Sequence, residues 1–413
     1  MTLEPALTAE REQHSSFEAW RASGGGRGLE RALRDRAQAR DEVARSGLRG
    51  MGGAGFPTSR KWQAALEAGG GGWVICNGNE DEPGTFKDRR LLAQSPHQVI
   101  EGAIIAALAT SARHVVFYVN PHHLEVPDIV RTAVQAWSND ALLARARAAV
   151  GGELTLHVRL SSGLYVGGED TAAIASVQGG FPFPRKKPPY PTESGVHGQP
   201  TVVNNVETLA LVRHILEHGA AWYRARGRAP ALGSKLFCLS GDVVTPGLFE
   251  LPLGVTLREL VYQHGGGVLD GRAFKAAFTG GPSNTLLSAA ELDLPLDFDT
   301  LREHGARLGT GAIVVVSEGT SIVRRVADYV DFFANSSCGQ CPSCRVGTQE
   351  VTRLLRRIES GVGTQRDLSR LDNLAAILPG SGRCGLVDGA VAVLTSSRAR
   401  FDDEYTGALR KHD

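Results

Sequence analysis

Four cysteines near the end of the chain constrain its fold more than any other feature. Cys338, Cys341 and Cys344 form a C-x2-C-x2-C run, and Cys384 follows with 39 residues between. Four thiolates complete the ligand set of a [4Fe-4S] cluster, and a tight triplet with a distant fourth cysteine is typical of such clusters. Structural zinc sites more often use two separated pairs, so zinc is the weaker alternative and a chance grouping is a third. A metal centre here requires both ends of this segment to fold against each other.

The other two cysteines carry no comparable signal. Cys76 and Cys238 stand alone in apolar runs, WVIC and LFCLSG. Free cysteine in such surroundings usually behaves as a small buried hydrophobe, and this is our interpretation of both. The six cysteines therefore do not form the disulfide framework of a secreted domain.

From Gly47 to about Ala231 the pattern predicts an α/β fold with a parallel sheet. The β-branched runs WVIC, HVVFYV and LTLHVRL alternate with stretches of helical spacing at Pro96–Thr110 and Val126–Trp137. Strands that alternate with helices in this way are typical of βαβ units.

Two further units follow. From Gly233, the segments KLFCLSG and LFELP indicate a hairpin, TLRELVYQHGG is helix-like and AIVVVS is strand-like, which predicts a small α+β module ending near Glu318. Beyond it the chain shows helical spacing, which predicts a helical bundle, at Val323–Asn335, Thr348–Glu359, Arg366–Leu378 and Ala390–Leu394. The predicted division is 1–46 (an N-terminal arm and helix), 47–232 (the α/β domain), 233–320 (the small module) and 321–413 (the bundle).

The beginning of the chain and its charge exclude several classes of protein. Residues 1–28 are polar and end in SGGGRG, which predicts a loose arm before a helix at about Leu29–Ser46. No run approaches the ~18 apolar residues of a membrane span, and no signal peptide is evident. A net charge of +1 indicates no attraction to nucleic acid or an anionic membrane. We expect a cytoplasmic protein.

A glycine-rich stretch from Gly47 to Thr58 predicts a phosphate site. Its sequence, GLRGMGGAGFPT, leaves backbone N–H groups bare, and Pro57 or Thr58 can open a helix whose N-terminus favours anions. Lys61 is placed to neutralise a phosphate. A glycine-rich turn without any ligand remains the alternative.

Three polar segments follow predicted strands or tight loops. They are Asn77–Glu82, Tyr165–Asp170 and Asn204–Thr208. Because ligands bind outside the carboxyl ends of strands in open α/β sheets, we expect these segments to converge. For Asp81 and Glu207 we favour a solvated loop position, since single carboxylates are mostly exposed.

Taken together, these motifs resemble a known family. The segments GLRGMGGAGFPTSRKW, CNGNEDEPGTFKDR, YVGGEDTAA, PRKKPPYP, GQPTVVNNVETLA and SCGQCPSCRVGT are similar to the flavin-bearing subunit of respiratory complex I. The same unit occurs as the diaphorase subunit of NAD-linked hydrogenases and formate dehydrogenases. The resemblance runs from about residue 30 to 400, in the order of the family.

The resemblance implies a Rossmann-like domain for FMN and NAD(H), a ubiquitin-like β-grasp (SLBB-like) module and a helical bundle that carries the [4Fe-4S] cluster. The residues that it places around FMN are Gly50, Gly52, Gly53, Lys61, Asn77, Asn79, Glu80, Gly168, Asn204, Asn205 and Thr208. Those that it places at NAD(H) are Phe56, Glu82, Asp170, Lys187 and Tyr190.

Four positions depart from the usual pattern of this family. Met51 stands where arginine is usual, Asn79 where aspartate is usual and Asp170 where glutamate is usual. Ala64 replaces an aromatic residue, which removes part of an adenine stack. An FMN and iron–sulfur subunit that no longer uses NAD(H) is therefore the alternative, as is a structural zinc scaffold.

The resemblance also implies a mechanism. A hydride carries two electrons and a cluster accepts one, so the flavin stands between NADH and the cluster, and no side chain has to act as a covalent catalyst. With four cysteines available for clusters, electrons must leave to another protein. The partners implied are a [2Fe-2S] subunit and a larger iron–sulfur subunit or terminal oxidoreductase.

Overall fold

The structure, a computed structural model, describes residues 4–8 and 16–410. Within these residues, eleven α-helices and four strands precede residue 230: α1 Phe17–Ala22, α2 Arg27–Arg34, α3 Arg36–Ser46, α4 Thr58–Glu67, β1 Trp73–Gly78, α5 Lys87–Gln94, α6 Pro96–Thr110, β2 His114–Val119, α7 Val126–Trp137, α8 Ala141–Ala149, β3 Thr155–Leu160, α9 Asp170–Val177, β4 Thr201–Asn205, α10 Val206–His218 and α11 Ala220–Arg224.

The first sheet is entirely parallel, as the sequence predicts. Its strands lie in the order β3-β2-β1-β4. The chain moves outward from β1 to β3 and then returns to the other side of β1, so the order reverses between β1 and β4. A reversal of this kind opens a crevice at the carboxyl ends of the strands, and both β1 and β4 end in asparagine-containing segments.

The second unit is a mixed five-stranded sheet with the order β6-β5-β9-β7-β8. Its elements are β5 Ser234–Gly241, β6 Gly247–Pro252, a π-helix Glu259–His264, β7 Phe274–Thr279, β8 Leu286–Ser288, α12 Phe298–Glu303 and β9 Ala312–Ser317. The predicted hairpin is present as the antiparallel pair β5 and β6, whereas the predicted helix in TLRELVYQHGG is mainly a π-helix.

The last unit is a helical bundle, as predicted. Its helices are α13 Ile322–Asn335, α14 Pro342–Glu359, α15 Gln365–Ile377 and α16 Leu386–Gly407. The backbone of α16 bends at Phe401, where φ is -135°. Among residues 4–8 and 16–410, no helix is both long and apolar enough to span a bilayer.

The second sheet is buried on both faces because its strands alternate between two hydrophobic cores. On β9, Ile313 and Val315 belong to the core shared with the first unit, while Val316 belongs to the core of the bundle. On β7, Ala277 and Phe278 divide in the same way. Successive side chains of a strand point to opposite faces, so a nearly continuous apolar strand is what such a position requires.

The prediction of a loose N-terminal arm is wrong for the described part of that segment. Leu7 and Trp20 are buried, and the Trp20 ring lies 5.0 Å from that of Trp137. The backbone N–H of Leu7 donates to Glu250 on β6, at 2.7 Å. Residues 1–3 and 9–15 of the predicted arm lie outside the described residues.

The predicted single helix Leu29–Ser46 is divided at Asp35. The Asp35 carboxylate accepts hydrogen bonds from two backbone N–H groups of α3, each at 2.9 Å, which starts a new helix there.

A buried ion cluster joins the first two units, and it corrects our interpretation of Glu207 as solvated. Glu207, at the start of α10, is fully buried and lies 3.0 Å from the ammonium groups of both Lys87 and Lys235. Its other oxygen accepts the backbone N–H of Leu236 at 2.7 Å. Asp88 lies 2.7 Å from Lys87, so two cations and two carboxylates balance in the interior. Asp81, by contrast, is partly buried and accepts a hydrogen bond from Asn120.

Removing the charge of Glu207 should weaken the protein strongly. Glu207→Gln leaves buried lysines without compensation, and we expect the free energy of unfolding to fall by about 3–5 kcal/mol. Urea unfolding followed by circular dichroism measures this. The exposed Glu18→Gln variant is the control and should unfold as the parent does. Equal stability of the Glu207 variant would contradict the structural role of the cluster.

Candidate functional site

A cleft of about 1000 Å³ opens at the carboxyl ends of β1 and β4. The predicted cofactor residues that line it are Gly50, Gly52, Gly53, Phe56, Lys61, Asn77, Asn79, Glu80, Glu82, Gly168, Asp170, Lys187, Asn204 and Asn205. Thr208 and Tyr190 are the two that do not. The three polar segments and the glycine-rich loop therefore meet in one cavity, whose size suits a nucleotide.

The glycine-rich loop is closed at its base and bare at its tip. The Gly50 N–H donates to the carbonyl of Phe56 at 2.9 Å, and α4 begins directly after the loop at Thr58. Gly53 has φ +126°, which side chains rarely tolerate, and a Cβ placed there would have its nearest neighbours at 4.0 Å. The backbone therefore borders open space in the cleft, as a phosphate or ring would require.

Lys61 is the cation nearest to this loop in sequence, and its ammonium is held by a neutral group. It donates to the carbonyl of Val203 at 2.9 Å and has no ion-pair partner within the described part of the chain. Burial lowers the pKa of Lys61, although the charge of Asp170 opposes this. A buried cation without a contacting carboxylate suits an anionic ligand, so this side chain fits a phosphate.

Asn77 and Asn79 line the cleft with a fixed orientation. The Asn77 amide donates to the carbonyl of Gly168 at 2.9 Å. The Asn79 amide donates to Asp81 and to the carbonyl of Leu164, at 3.2 and 3.1 Å. The Asn79 carbonyl oxygen is buried and has no protein donor among the described residues. An acceptor left open in this way fits a ligand that brings an N–H donor.

Glu80 supports the cleft from behind. Its carboxylate accepts the N–H groups of Asp88 and Arg89 at the start of α5, at 2.8 and 3.2 Å. Burial, together with the charge of Asp88, raises the pKa of Glu80 to about 7. This residue caps a helix as well as lining the cavity, which its sequence motif alone does not reveal.

Glu82 connects three segments across the cleft. One oxygen accepts the hydroxyl of Tyr165 at 2.7 Å, and the other accepts the backbone N–H of Ser283 at 2.9 Å. Burial raises the pKa of Glu82, against the effect of these two donors. Ser283 belongs to the second unit, so this carboxylate lies where the first two units meet.

Lys187 and Asp170 form an ion pair at the rim of the cleft. Their charged atoms are 2.6 Å apart, and Glu169 approaches the same ammonium at 3.2 Å. Glu169 also accepts two N–H groups at the start of α9, at 2.9 Å each. Burial and the proximity of Asp170 raise the pKa of Glu169 to about 7.

The end of β4 is fixed from two sides. The Asn204 side chain accepts the indole N–H of Trp62 at 2.9 Å. Asn205 accepts the N–H of Glu207 at 3.0 Å and so caps α10. It also accepts from the ammonium of Lys87 at 2.9 Å, which connects the cleft to the buried ion cluster.

Two predicted residues lie outside the cleft. Thr208 is buried, and its hydroxyl accepts the N–H of Met51 at 2.9 Å, so it supports the glycine-rich loop from below. Tyr190 is 53% exposed, and its backbone N–H donates to Glu193. Phe56 lines the cleft and is 50% exposed, which leaves its ring free to contact a ligand.

Sequence reasoning missed one wall of the cleft. The second unit contributes two loops, Gly280–Thr285 and 302–310, although its sequence pattern predicts only a module apart from the site. A β-bridge between Gly53 and Gly309 holds the second loop against the glycine-rich loop. The signal in the sequence was the turn GGPSNT directly after a strand, but nothing in it indicates which sheet edge it faces.

The four clustered cysteines line one small cavity at the start of α14. All four are free, and the backbone N–H of Arg383 donates to the Cys341 sulfur at 3.4 Å. Burial raises the pKa of the Cys384 thiol to about 11. Bound iron favours the thiolate over the thiol, so four soft ligands around an enclosed space fit an iron–sulfur cluster.

The cysteine cavity and the cleft share a wall. Val166, Cys384 and Leu386 line both. Tyr165, which donates to Glu82 in the cleft, also packs its ring against Phe332 of the bundle, with centroids 5.3 Å apart. The two candidate cofactor sites are therefore neighbours, and no layer of secondary structure separates them.

Models of three protein families match separate parts of the chain. The Nuo51 FMN-binding domain matches residues 43–214, and the SLBB domain matches 236–284. The iron-sulfur binding region of NADH-ubiquinone oxidoreductase F matches 324–408, which favours an iron–sulfur cluster over zinc.

Similar proteins and structures span nearly the whole chain. The NADH-quinone oxidoreductase F subunit 2 of Rhizobium meliloti is 39% identical over 397 residues, which cover 95% of this chain and 94% of that protein. The corresponding F subunit of Escherichia coli is 38% identical over 374 residues, covering 90% and 84%. The crystal structure of an NAD+-reducing [NiFe]-hydrogenase in the H2-reduced state contains a chain that matches with a TM-score of 0.86 at 36% identity. The match covers 97% of this chain and 68% of that one.

Replacing one clustered cysteine should remove the metal centre. In Cys341→Ser a hydroxyl replaces a thiolate and only three sulfur ligands remain, so we expect loss of iron, sulfide and brown absorbance. Cys76→Ala, which removes a buried cysteine of the first sheet, is the control and should keep its full iron content. Unchanged iron content and electron paramagnetic resonance in Cys341→Ser would contradict the ligand assignment.

A branched side chain in the glycine-rich loop should exclude the flavin. Gly53→Val fills the open space beside the loop, so we expect purified protein with normal circular dichroism and little FMN. The control is Gly151→Val, which has a comparable φ of +88° and open surroundings but lies at a remote turn. FMN fluorescence after denaturation measures occupancy. Full occupancy in Gly53→Val would place the cofactor elsewhere.

Proposed function

The chain belongs to the family of NADH-quinone oxidoreductase F subunits, and we propose that it oxidises NADH and passes the electrons through FMN and a [4Fe-4S] cluster to a partner protein. The observation that carries this proposal is the shared wall of Val166, Cys384 and Leu386 between the cleft and the cysteine cavity. Electron transfer between two centres requires such proximity.

FMN, when bound, accepts a hydride from NADH and releases electrons singly to the cluster. The residues of this chain bind and orient the cofactors. We propose that the glycine-rich loop and Lys61 hold the flavin phosphate, since the loop is bare and Lys61 has no carboxylate in contact. Asn79 offers an acceptor to the flavin ring, since its carbonyl oxygen has no protein donor. The FMN site comprises Gly50, Gly52, Gly53, Lys61, Asn77, Asn79, Glu80, Gly168, Asn204 and Asn205, with Thr208 acting through Met51.

We place NAD(H) in the outer part of the same cleft. Phe56, with half of its surface exposed, offers an apolar face. Lys187 and Asp170 offer a cation and a carboxylate at the rim, and Glu82 offers a buried carboxylate between the units. Tyr190 lies outside the cleft, so it contributes only if the segment that carries it moves toward the nucleotide.

The division into domains that we propose follows the two sheets. Residues 47–232 contain β1 to β4 with α10 and α11, 233–320 contain β5 to β9, and 321–413 contain the bundle. Residues 1–46 form a separate N-terminal segment rather than a loose arm. Its described part packs on the first unit through Trp20 and on the second through Leu7.

Partners follow from the family. The relatives named above are subunits of oxidoreductases, so this chain is a subunit of a larger assembly. We propose a [2Fe-2S] subunit and a larger iron–sulfur subunit or terminal oxidoreductase as its electron acceptors, in a complex I or a diaphorase module. The four clustered cysteines support an external acceptor, since they supply ligands for a single cluster.

A conservative change at Glu82 tests the proposed nucleotide site. Glu82→Gln keeps the size of the side chain but replaces an ionised acceptor, and hydrogen bonds to charged groups contribute about 1.5–3 kcal/mol, or roughly 10- to 150-fold in binding. We expect NADH to reduce the bound flavin far more slowly, whereas dithionite reduces it at the parental rate. Stopped-flow absorbance with each reductant gives the comparison within one preparation.

The matched control is Asp81→Asn, an isosteric change at the neighbouring acid. Equal NADH kinetics in Glu82→Gln and the parent would remove Glu82 from the site. If the parent flavin is itself not reduced by NADH but is reduced by dithionite, the alternative function without NAD(H) replaces the proposed one.

A further inference from the structure

An exposed aromatic pair lies beside the cysteine loop. Phe181 and Phe183 are 49% and 46% exposed, and their ring centroids are 4.5 Å apart. Each ring thus shelters the other on one side only, and both keep a large apolar surface in water. Single exposed hydrophobic residues are ordinary, but two stacked aromatic rings in one place are typical of interaction sites.

This pair is fixed to the wall of the cluster cavity. Pro184, the next residue, is buried and lines the cavity together with Cys338. The Gln340 side chain, inside the C-x2-C-x2-C run, donates to the Pro184 carbonyl at 3.1 Å. The aromatic pair therefore lies one residue away from the wall of the proposed cluster.

The surroundings of the pair are basic. Lys186, Arg345 and Arg383 are exposed and have no ion-pair partner within residues 4–8 and 16–410. Arg345 and Arg383 adjoin the cluster ligands Cys344 and Cys384 in the chain. The nearest carboxylates along this loop, Glu169 and Asp170, are already paired with Lys187. Three cations thus remain uncompensated around the cysteines.

A second apolar residue extends the surface on the helical side. Val346 follows Arg345 on the first turn of α14 and is 63% exposed. The face therefore has the composition of a binding interface, in which apolar and aromatic residues form the centre and charged residues form the rim. We define it as the exit face, made of Phe181, Phe183, Lys186, Arg345, Val346 and Arg383.

We propose that the exit face is the docking surface for an acidic iron–sulfur protein, which receives the electrons there. The argument is charge complementarity at the surface closest to the cluster: an acidic partner pairs with three uncompensated cations, and its apolar centre covers the aromatic pair. The inference rests on the proposed function, because the exit face serves electron transfer only if the cluster is the last centre in this chain.

Binding of an acidic plant-type [2Fe-2S] ferredoxin to the holoprotein tests the proposal. Isothermal titration calorimetry at low ionic strength should show binding that weakens as salt is added, since exposed charges are screened beyond about 10 Å at 0.1 M salt. Phe181→Ser with Phe183→Ser should weaken binding by roughly ten-fold or more, as truncation of aromatic residues at interface centres does. Lys186→Glu should weaken binding further and flatten its dependence on salt.

The matched controls lie at the other end of α14. Val362→Ser and Arg366→Glu change an exposed apolar residue and an exposed cation beyond the end of an 18-residue helix. That helix is about 27 Å long, at 1.5 Å per residue. Both controls should bind ferredoxin as the parent does. Every variant should keep its iron content and its NADH-driven reduction of ferricyanide, a small acceptor that needs no docking surface.

The outcomes separate the docking proposal from the proposed function. Parental affinity in the aromatic and Lys186 variants, or no binding by the parent at low salt, would overturn the docking proposal. A change in self-association by sedimentation, without a change in ferredoxin binding, would assign the face to a second copy of this chain instead. Absence of NADH-driven ferricyanide reduction in the parent would refute the function, while variant-sensitive ferredoxin binding would leave the docking surface standing.

Discussion

The structure depends on a buried cluster of charges at the junction of its first two units. Lys87 and Lys235 lie on different units, and Glu207 lies within 3.0 Å of both. Burial lowers the pKa of Lys235, and only the neighbouring carboxylates oppose this. Such clusters contribute little compared with apolar packing, but they are costly to break, so they fix how two surfaces fit together. The cleft lies at this junction, and its shape therefore depends on the cluster.

The same cluster reaches the cofactor site through two contacts. The ammonium of Lys235 lies 3.1 Å from the carbonyl of Met51 in the glycine-rich loop, and that of Lys87 lies 2.9 Å from Asn205. Met51 stands where the resembling family usually has arginine. A buried lysine from the second unit therefore places a cation beside the loop at the position where that arginine is absent. The departure thus leaves the loop with a fixed conformation and a positive charge beneath it.

The sequence predicted the elements of the fold well and their contacts poorly. The boundaries of α6 and α7 follow from hydrophobic periodicity, and the parallel sheet follows from the alternation of strands and helices. Periodicity is a local property, so it could not show that Glu207 pairs with a lysine 28 residues later or that Leu7 reaches Glu250. For the same reason it gave the loop Gly280–Thr285 no role in the cleft. Residues at strand ends were predictable because the topology of parallel sheets brings such ends together.

Magnitudes decide how much the departures at Asp170 and Ala64 affect NAD(H). The Asp170 side chain is 28% exposed and that of Lys187 is 32% exposed, and an ion pair between partly exposed groups contributes about 0–1 kcal/mol. A nucleotide that displaces this pair therefore loses little. An aromatic contact contributes about 0.5–1.5 kcal/mol, which is the expected cost of alanine at position 64. Together the two terms reach at most about 2.5 kcal/mol, or roughly 70-fold in affinity. Dinucleotide affinity is thus weakened but not abolished, because Phe56, Glu82 and Lys187 still line the cleft.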